Sequence, residues 1–143
     1  MITNFRKVNK YDILKGHLNL YTQLTKIDPS HISKTDYENF INSLSDDHII
    51  YVVESKNKII GTITILIEQK LIHDMGKVAH IEDVVVDTNY RGYDIGTTLI
   101  KMAVEHAREQ KCYKIILDCS ETLKQFYGKC GFVHKGVEMA LYF

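Results

Sequence analysis

His80-Ile81-Glu82-Asp83-Val84-Val85-Val86-Asp87-Thr88-Asn89-Tyr90-Arg91-Gly92-Tyr93-Asp94-Ile95-Gly96 reads as a buried strand, a tight glycine-bearing turn and the start of a helix. The Val-rich run favours a covered, pleated surface. From Ile95 to Gln110, residues Ile95, Leu99, Met102, Ala103, His106 and Ala107 recur on one helical face. A strand that ends in exposed amides beneath a helix N-terminus is an anion site, because the backbone N–H groups and the helix dipole both favour a phosphate. Two glycines in a loose pattern carry little weight alone. Their position between a Val-rich strand and an amphipathic helix is what counts.

Working outward, Tyr113–Leu117 is a short apolar strand, placed parallel to Lys77–Val86 by the intervening helix. Before it, Ile49–Val53 and Ile59–Leu71 are β-branched strands joined by a Lys56-Asn57-Lys58 turn, and His73-Asp74-Met75-Gly76 turns the chain into Lys77–Val86. Phe5–Val8 is a first short strand. Asp12–Leu24 has helical spacing, and Thr35-Asp36-Tyr37-Glu38 is a capping-box pattern that opens a second helix. Ser120 is placed to cap a helix over Glu121–Lys129, which Gly131 ends; Phe132–His134 and Val137–Phe143 supply a last strand. The order predicts an α/β fold with a mixed central sheet, antiparallel in its N-terminal part, parallel at the phosphate turn and flanked by helices.

The 143 residues predict a single domain over 1–143, with no linker, repeat or low-complexity segment. Eighteen basic residues balance 18 acidic ones, which argues against a broad nucleic-acid surface. No apolar run approaches the roughly 18 residues of a membrane span, and the N-terminus lacks a signal-peptide core. Cys112, Cys119 and Cys130 are an odd number without a Cys-x-x-Cys pair, so reduced thiols in a cytoplasmic protein are expected. The scattered histidines and cysteines form no metal-ligand spacing.

The Arg91–Gly96 turn resembles the acetyl-CoA signature of the GNAT N-acetyltransferases, Arg/Gln-x-x-Gly-x-Gly/Ala. Asp94 stands in the place of the middle glycine. His73-Asp74-Met75-Gly76, His80-Ile81-Glu82-Asp83, Cys112-Tyr113-Lys114-Ile115-Ile116-Leu117-Asp118-Cys119, Phe126-Tyr127-Gly128-Lys129-Cys130-Gly131-Phe132 and Gly136-Val137-Glu138-Met139-Ala140 resemble the glucosamine-6-phosphate N-acetyltransferase family within it. The likeness is strong from about Ile63 to Ala140 and thin before Ile49, apart from Leu24-Thr25. It implies direct transfer of an acetyl group from acetyl-CoA to the amine of glucosamine 6-phosphate without an acetyl-enzyme, a step of amino-sugar metabolism toward UDP-N-acetylglucosamine. By this resemblance Val84, Val85, Val86, Arg91, Gly92, Tyr93, Asp94, Ile95, Gly96, Thr97 and Tyr127 hold acetyl-CoA. Tyr127 also protonates the leaving thiolate, and Asp118 sits by the reacting amine, where a carboxylate can accept its proton. Thr25, Lys70, His73, Glu82, Asp83, Tyr113 and Lys114 match positions that read the sugar phosphate. A homodimer is implied, because both subunits of that family build the sugar site; no metal is.

Glu82 and Asp83 are consecutive on a strand, so their side chains are expected on opposite faces. A solvated strand end, or pairs with Lys77 or Lys114, are equally open readings. The apolar end Ala140-Leu141-Tyr142-Phe143 calls for cover, in a neighbouring subunit or on its own sheet. Two other functions remain open from the sequence: a GNAT enzyme for a different amine, and a non-catalytic acyl-CoA-binding module.

Overall fold

β-branched runs separated by left-handed turns build the central sheet. A computed structural model describes residues Met1–Phe143. One sheet holds β1 (Asn4–Lys7), β2 (His48–Ser55), β3 (Lys58–Gln69), β4 (Lys77–Val86) and β5 (Cys112–Ile116), in that spatial order. Strands β1 to β4 are antiparallel neighbours, and β5 runs parallel to β4. The helix α4 (Ile95–Glu109) makes the crossover between the parallel pair. Mixed order and crossover are those expected from the sequence.

Lys56 and Asn57, with φ 50° and 61°, close β2 onto β3 in the two-residue geometry that suits a hairpin. The β3–β4 connection is a single turn, α3 (Ile72–Met75), in which His73, Asp74 and Met75 are all left-handed. Gly76 follows beneath the ring of Tyr113; a Cβ there would lie 2.7 Å from Tyr113 Cδ1, so a larger residue would have to push that ring aside.

Both faces of the sheet are covered. Ile63, Ile65, Ala79 and Ile81 meet Ile95, Leu99 and Ala103 of α4 on one side. Val52, Ile59 and Val85 meet Leu20 of α1 (His17–Leu20) and Tyr37 of α2 (Lys34–Asn42) on the other. The helical stripe of α4 buries Ile100 where the sequence placed Met102, which is half-buried.

Several local expectations are corrected. Asp12–Leu24 is not one helix: Gly16, at φ 81°, breaks it into a 3-10 segment (Lys10–Lys15), α1 and a 3-10 turn (Tyr21–Gln23). Helix α2 is capped by Ser33, whose side chain accepts the Asp36 N–H at 3.0 Å, rather than opening at Thr35. Ser120 makes no capping hydrogen bond; its hydroxyl lies 3.0 Å from that of Thr122, and a 3-10 turn (Glu121–Leu123) leads into α5 (Lys124–Lys129). The last strand is absent. Residues 132–143 pair with no strand, leaving Val137, Met139, Leu141, Tyr142 and Phe143 exposed.

Candidate active site

The site opens where the parallel ladder stops. Strand β5 pairs with β4 only as far as His80↔Ile116, while β4 runs on to Val86. Beyond His80 the β4 edge facing β5 is therefore unpaired, and Val84, Val85 and Val86 line the gap. A bulge sharpens it. The β3–β4 register shifts between Thr62 and Thr64, and Asp83 sits opposite that shift at φ 50°. Simple alternation therefore fails at Glu82-Asp83: both side chains are exposed together, not one in and one out.

The turn after β4 is held from below. Asp87 is buried, accepts the Asn89 N–H at 3.0 Å and is met by Lys58 Nζ at 3.0 Å. Gln23 Oε1 accepts the Thr88 N–H at 2.9 Å, which ties the loop carrying Thr25 to this turn. Thr25 itself is exposed at the end of that loop, its N–H donated to the Tyr21 carbonyl at 3.1 Å. The backbone amides of Gly92, Tyr93, Asp94, Ile95, Gly96 and Thr97 donate to no backbone acceptor, and no side chain caps α4. Asp94 is the N-cap residue, left-handed at φ 59° and ψ 19°, and its carbonyl accepts the Thr98 N–H at 3.0 Å. A ring of unpaired N–H groups with the exposed Arg91 beside it is a place for an anion.

On the far side of the gap stand Asp118 and Tyr127. They line one cleft of about 480 Å³ with Cys119 and Glu138. Tyr127 is buried, its ring edge-on to Phe126 and Phe132. Burial pushes its phenol pKa up, and the Cys119 and Cys130 thiols add to this, so the phenol keeps its proton. Burial also raises Glu82, with the Asp83, Asp118 and Glu138 carboxylates raising it further against the opposing pull of His80. Three further carboxylates thus lie within electrostatic reach of Glu82. Such a place favours a cation, and a carboxylate held above its ordinary range is a better proton acceptor.

Lys70, His73, Tyr113 and Lys114 form a separate group around the β3–β4 turn. His73 stacks on Tyr113 with ring centroids 4.1 Å apart, and Lys114 Nζ lies 5.8 Å from the Tyr113 ring centre. Lys70 pairs with Glu68 at 3.2 Å, and His80 meets the same carboxylate at 3.0 Å. At about 3.3 Å per residue along β5, Lys114 stands roughly 13 Å from Asp118. Within one chain the expected sugar-binding residues therefore do not converge: Glu82, Asp83 and Asp118 lie at one end of β5, and Lys70, His73, Tyr113 and Lys114 at the other.

The acetyltransferase (GNAT) family pattern matches residues 17–132, most of the chain and all of the gap, the amide turn and Tyr127. The chain belongs to the GNAT acetyltransferase family. A glucosamine 6-phosphate N-acetyltransferase of Arabidopsis thaliana is 41% identical, with 96% of this chain and 95% of that protein covered. Glucosamine 6-phosphate N-acetyltransferase 1 of Dictyostelium discoideum is 40% identical over 97% of this chain and 90% of its own. The crystal structure of the enzyme from Arabidopsis thaliana superposes with a TM-score of 0.96 at 36% identity, covering 100% of this chain and 99% of that one.

Sequence reasoning about this GNAT site missed Glu138, which lines the cleft. Glu138 lies in a quoted stretch but has no local signal, since it reaches the carboxylate cluster through the path of the tail. No cluster of His, Cys, Asp and Glu that could hold a metal ion is present, and no helix is long and apolar enough to cross a membrane.

Proposed function

We propose that this protein transfers the acetyl group of acetyl-CoA to the amine of glucosamine 6-phosphate, giving N-acetylglucosamine 6-phosphate and CoA. The observation that carries the reading is the union, in one gap, of an unpaired β4 edge, an amide turn without acceptors and the Asp118–Tyr127 cleft. The relatives' names supply the sugar. In this reading the amides of Gly92–Thr97 and Arg91 take the pyrophosphate, and Val84–Val86 take the pantetheine arm along the open strand edge. A backbone N–H of that edge stabilises the oxyanion as the amine attacks the thioester. The N–C bond forms first, and collapse of the oxyanion then breaks the C–S bond and releases the CoA thiolate, without an acetyl-enzyme. The amine proton passes to the carboxylates of Asp118 and Glu82, and the Tyr127 phenol gives its proton to the sulfur. Both groups then re-equilibrate with solvent.

In this reading a second chain completes the sugar end. Lys70, His73, Tyr113 and Lys114 suit a phosphate but stand toward the opposite end of β5 from their own Asp118. The outer edge of β5 is unpaired, and the apolar tail Val137–Phe143 is bare. A homodimer in which each tail docks on its partner covers both and brings one chain's cations to the other's carboxylates. The unpaired cysteines suit a reducing, cytoplasmic setting.

The test is CoA release from acetyl-CoA with glucosamine 6-phosphate, with glucosamine and with neither. Release with the phosphorylated sugar alone is expected. Comparable kcat/KM on glucosamine would remove the substrate assignment and leave the broader transferase. Acetyl-CoA binding without turnover on any amine would leave only a binding module.

A further inference from the structure

Three successive residues of the β3–β4 turn are left-handed without being glycine: His73 at φ 54°, Asp74 at 56° and Met75 at 63°. Elsewhere in the chain no more than two such residues stand together. L side chains disfavour this region and visit it singly rather than in runs, so the turn needs support. Backbone bonds supply part of it. The Lys70 N–H donates to the Gly76 carbonyl at 2.8 Å, and the Gly76 N–H donates to the Ile72 carbonyl at 3.0 Å. The rest comes from one side chain that no part of the proposed chemistry uses. The Gln69 amide nitrogen donates to the Met75 carbonyl and reaches the carbonyls of Lys70 and Gly76, each at 3.3 Å. Gln69 ends β3 and pairs with Lys77 at the start of β4, so its amide sits at the neck of the turn. Carbonyls from both sides of the turn converge on one NH2 group. Only that end of the amide fits there, because its oxygen would face three acceptors.

What the turn carries is the ring of His73. It stacks on Tyr113 with centroids 4.1 Å apart and 30° between the planes, and Lys114 Nζ lies 5.8 Å from the same ring centre. Gly76, at the far end of the turn, approaches that ring so closely that a Cβ would lie 2.7 Å from Tyr113 Cδ1. Both ends of the turn therefore meet Tyr113. The left-handed run is what folds His73 back onto it; a right-handed or extended residue 73 would aim the imidazole elsewhere. We infer that Gln69 is a positioning residue, whose amide ties the carbonyls of the turn together and so holds the His73 ring on Tyr113 to meet the phosphate of the sugar. This rests on the reading of Lys70, His73, Tyr113 and Lys114 as the phosphate-binding group. The Gln69 amide points into the turn and acts on the sugar only through His73. Without it the strained run relaxes into other backbone shapes, and only the fraction of molecules that keeps the turn is competent. Apparent sugar affinity falls in proportion to that fraction.

The test separates the donors of the amide from its bulk. Gln69→Leu keeps the size and removes the donors, and Gln69→Lys returns donors without the amide. In Gln69→Leu the KM for glucosamine 6-phosphate should rise by about tenfold, the upper range for one net hydrogen bond, with the acetyl-CoA KM unchanged. ¹H–¹³C NMR of the His73 ring, assigned with His73→Ala, reads the stack directly and without substrate. The ring protons should be shielded by Tyr113 in the unmodified protein, move downfield in Gln69→Leu and return in Gln69→Lys. An unchanged sugar KM in Gln69→Leu overturns the inference, and so does a His73 ring that stays shielded there. An equal loss toward both substrates makes Gln69 a general structural residue and also overturns it. A ring as unshielded in Gln69→Lys as in Gln69→Leu shows that the donors are not the cause, with the same result. If the unmodified protein does not turn over glucosamine 6-phosphate, the function reading fails instead, while the ring measurement still decides whether Gln69 holds His73.

Discussion

The β4–turn–α4 half of the molecule and the half formed by β5, α5 and the tail use opposite strategies. The first is finished within one chain. Its strand is buried, its turn is pinned by Asp87, Lys58 and Gln23, and its helix packs Ile95, Leu99 and Ala103 into the main core. What it leaves open is polar and small: a run of amides and a strand edge. The second half is unfinished, with an unpaired sheet edge, an exposed apolar tail and cations far from the carboxylates they would complement. A site for a cofactor-like thioester can be built into one chain because the anion is bound by backbone geometry. In the proposed reading, the sugar end draws on long side chains and on whichever surface brings them together.

The sharpest way to break this contrast is at Tyr127, where the two halves meet. Tyr127→Phe should lower kcat by roughly 10²–10⁴-fold, the usual worth of general acid help, with little change in acetyl-CoA affinity. Steady-state kinetics with acetyl-CoA varied checks it. An unchanged kcat would mean that the ring only packs between Phe126 and Phe132 and that water protonates the thiolate.

Removing Ala140–Phe143 tests the unfinished half alone. In sedimentation the full chain should run as the proposed dimer and the shortened chain as a monomer. Its sugar KM should rise by roughly tenfold or more, about the loss of one contact to a charged group. Acetyl-CoA binding should persist, because the amides and strand edge proposed to hold it lie in the finished half. A shortened protein that stays dimeric with native sugar KM would place the second copy elsewhere.

Acid stability sharpens the other side. His17 has a folded pKa of about 4 against an ordinary value of 6.5, lowered by burial. The unfolded chain therefore takes up the proton first as pH falls. This contribution is complete above about pH 6.5, is lost between about 6.5 and 4, and amounts to about 3 kcal/mol over the whole span. Denaturant midpoints at pH 7 and pH 4.5 should differ for the unmodified protein and differ less for His17→Gln. The shortened chain should lose as much as the full one. The same slope in His17→Gln would show that other groups govern the acid limb.

How much was legible follows the same division. The strand, turn and long helix from His80 to Glu109 were readable because each is set by local pattern: Val-rich run, glycine turn, apolar stripe. The mixed sheet followed from their order. The broken helix at Gly16 was hidden because the apolar spacing of Ile13, His17 and Leu20 continues across the left-handed residue. The bulge at Asp83 has no sequence signal, since aspartate is tolerated in both conformations, and with it went the facing of the carboxylates. The last strand was read from apolar residues, but a strand is a pairing, and nothing in the chain pairs with Val137–Phe143. Tyr127 and Asp118 line one cleft. The separation of Lys70, His73 and Lys114 from Asp118 required the strand register.

The smallest expected effect is at Asp94, in the finished half. Asp94 is left-handed, where a non-glycine residue costs about 1 kcal/mol, though aspartate accepts this region more readily than most. Its carbonyl already holds the Thr98 amide, and any residue would supply that carbonyl. Its side chain is exposed and caps nothing, so Asp94→Gly removes strain and loses no hydrogen bond. Glycine also loosens the unfolded chain, which offsets much of that gain in stability. The remaining difference is charge. A carboxylate among amides that would bind a pyrophosphate repels it over a distance shorter than the Debye length of about 8 Å at physiological salt. Its favourable interaction with the dipole of α4 is felt by the free protein and is lost in the variant, but an anion at the same place replaces it. Asp94→Gly should therefore tighten acetyl-CoA by about tenfold or less, equivalent to about 1.4 kcal/mol, and more at low salt than at high salt. Calorimetric titration at two ionic strengths reads both. Weaker binding in the glycine variant would show that the aspartate preorganises the turn by limiting its freedom, and that the finished half is finished partly by this residue.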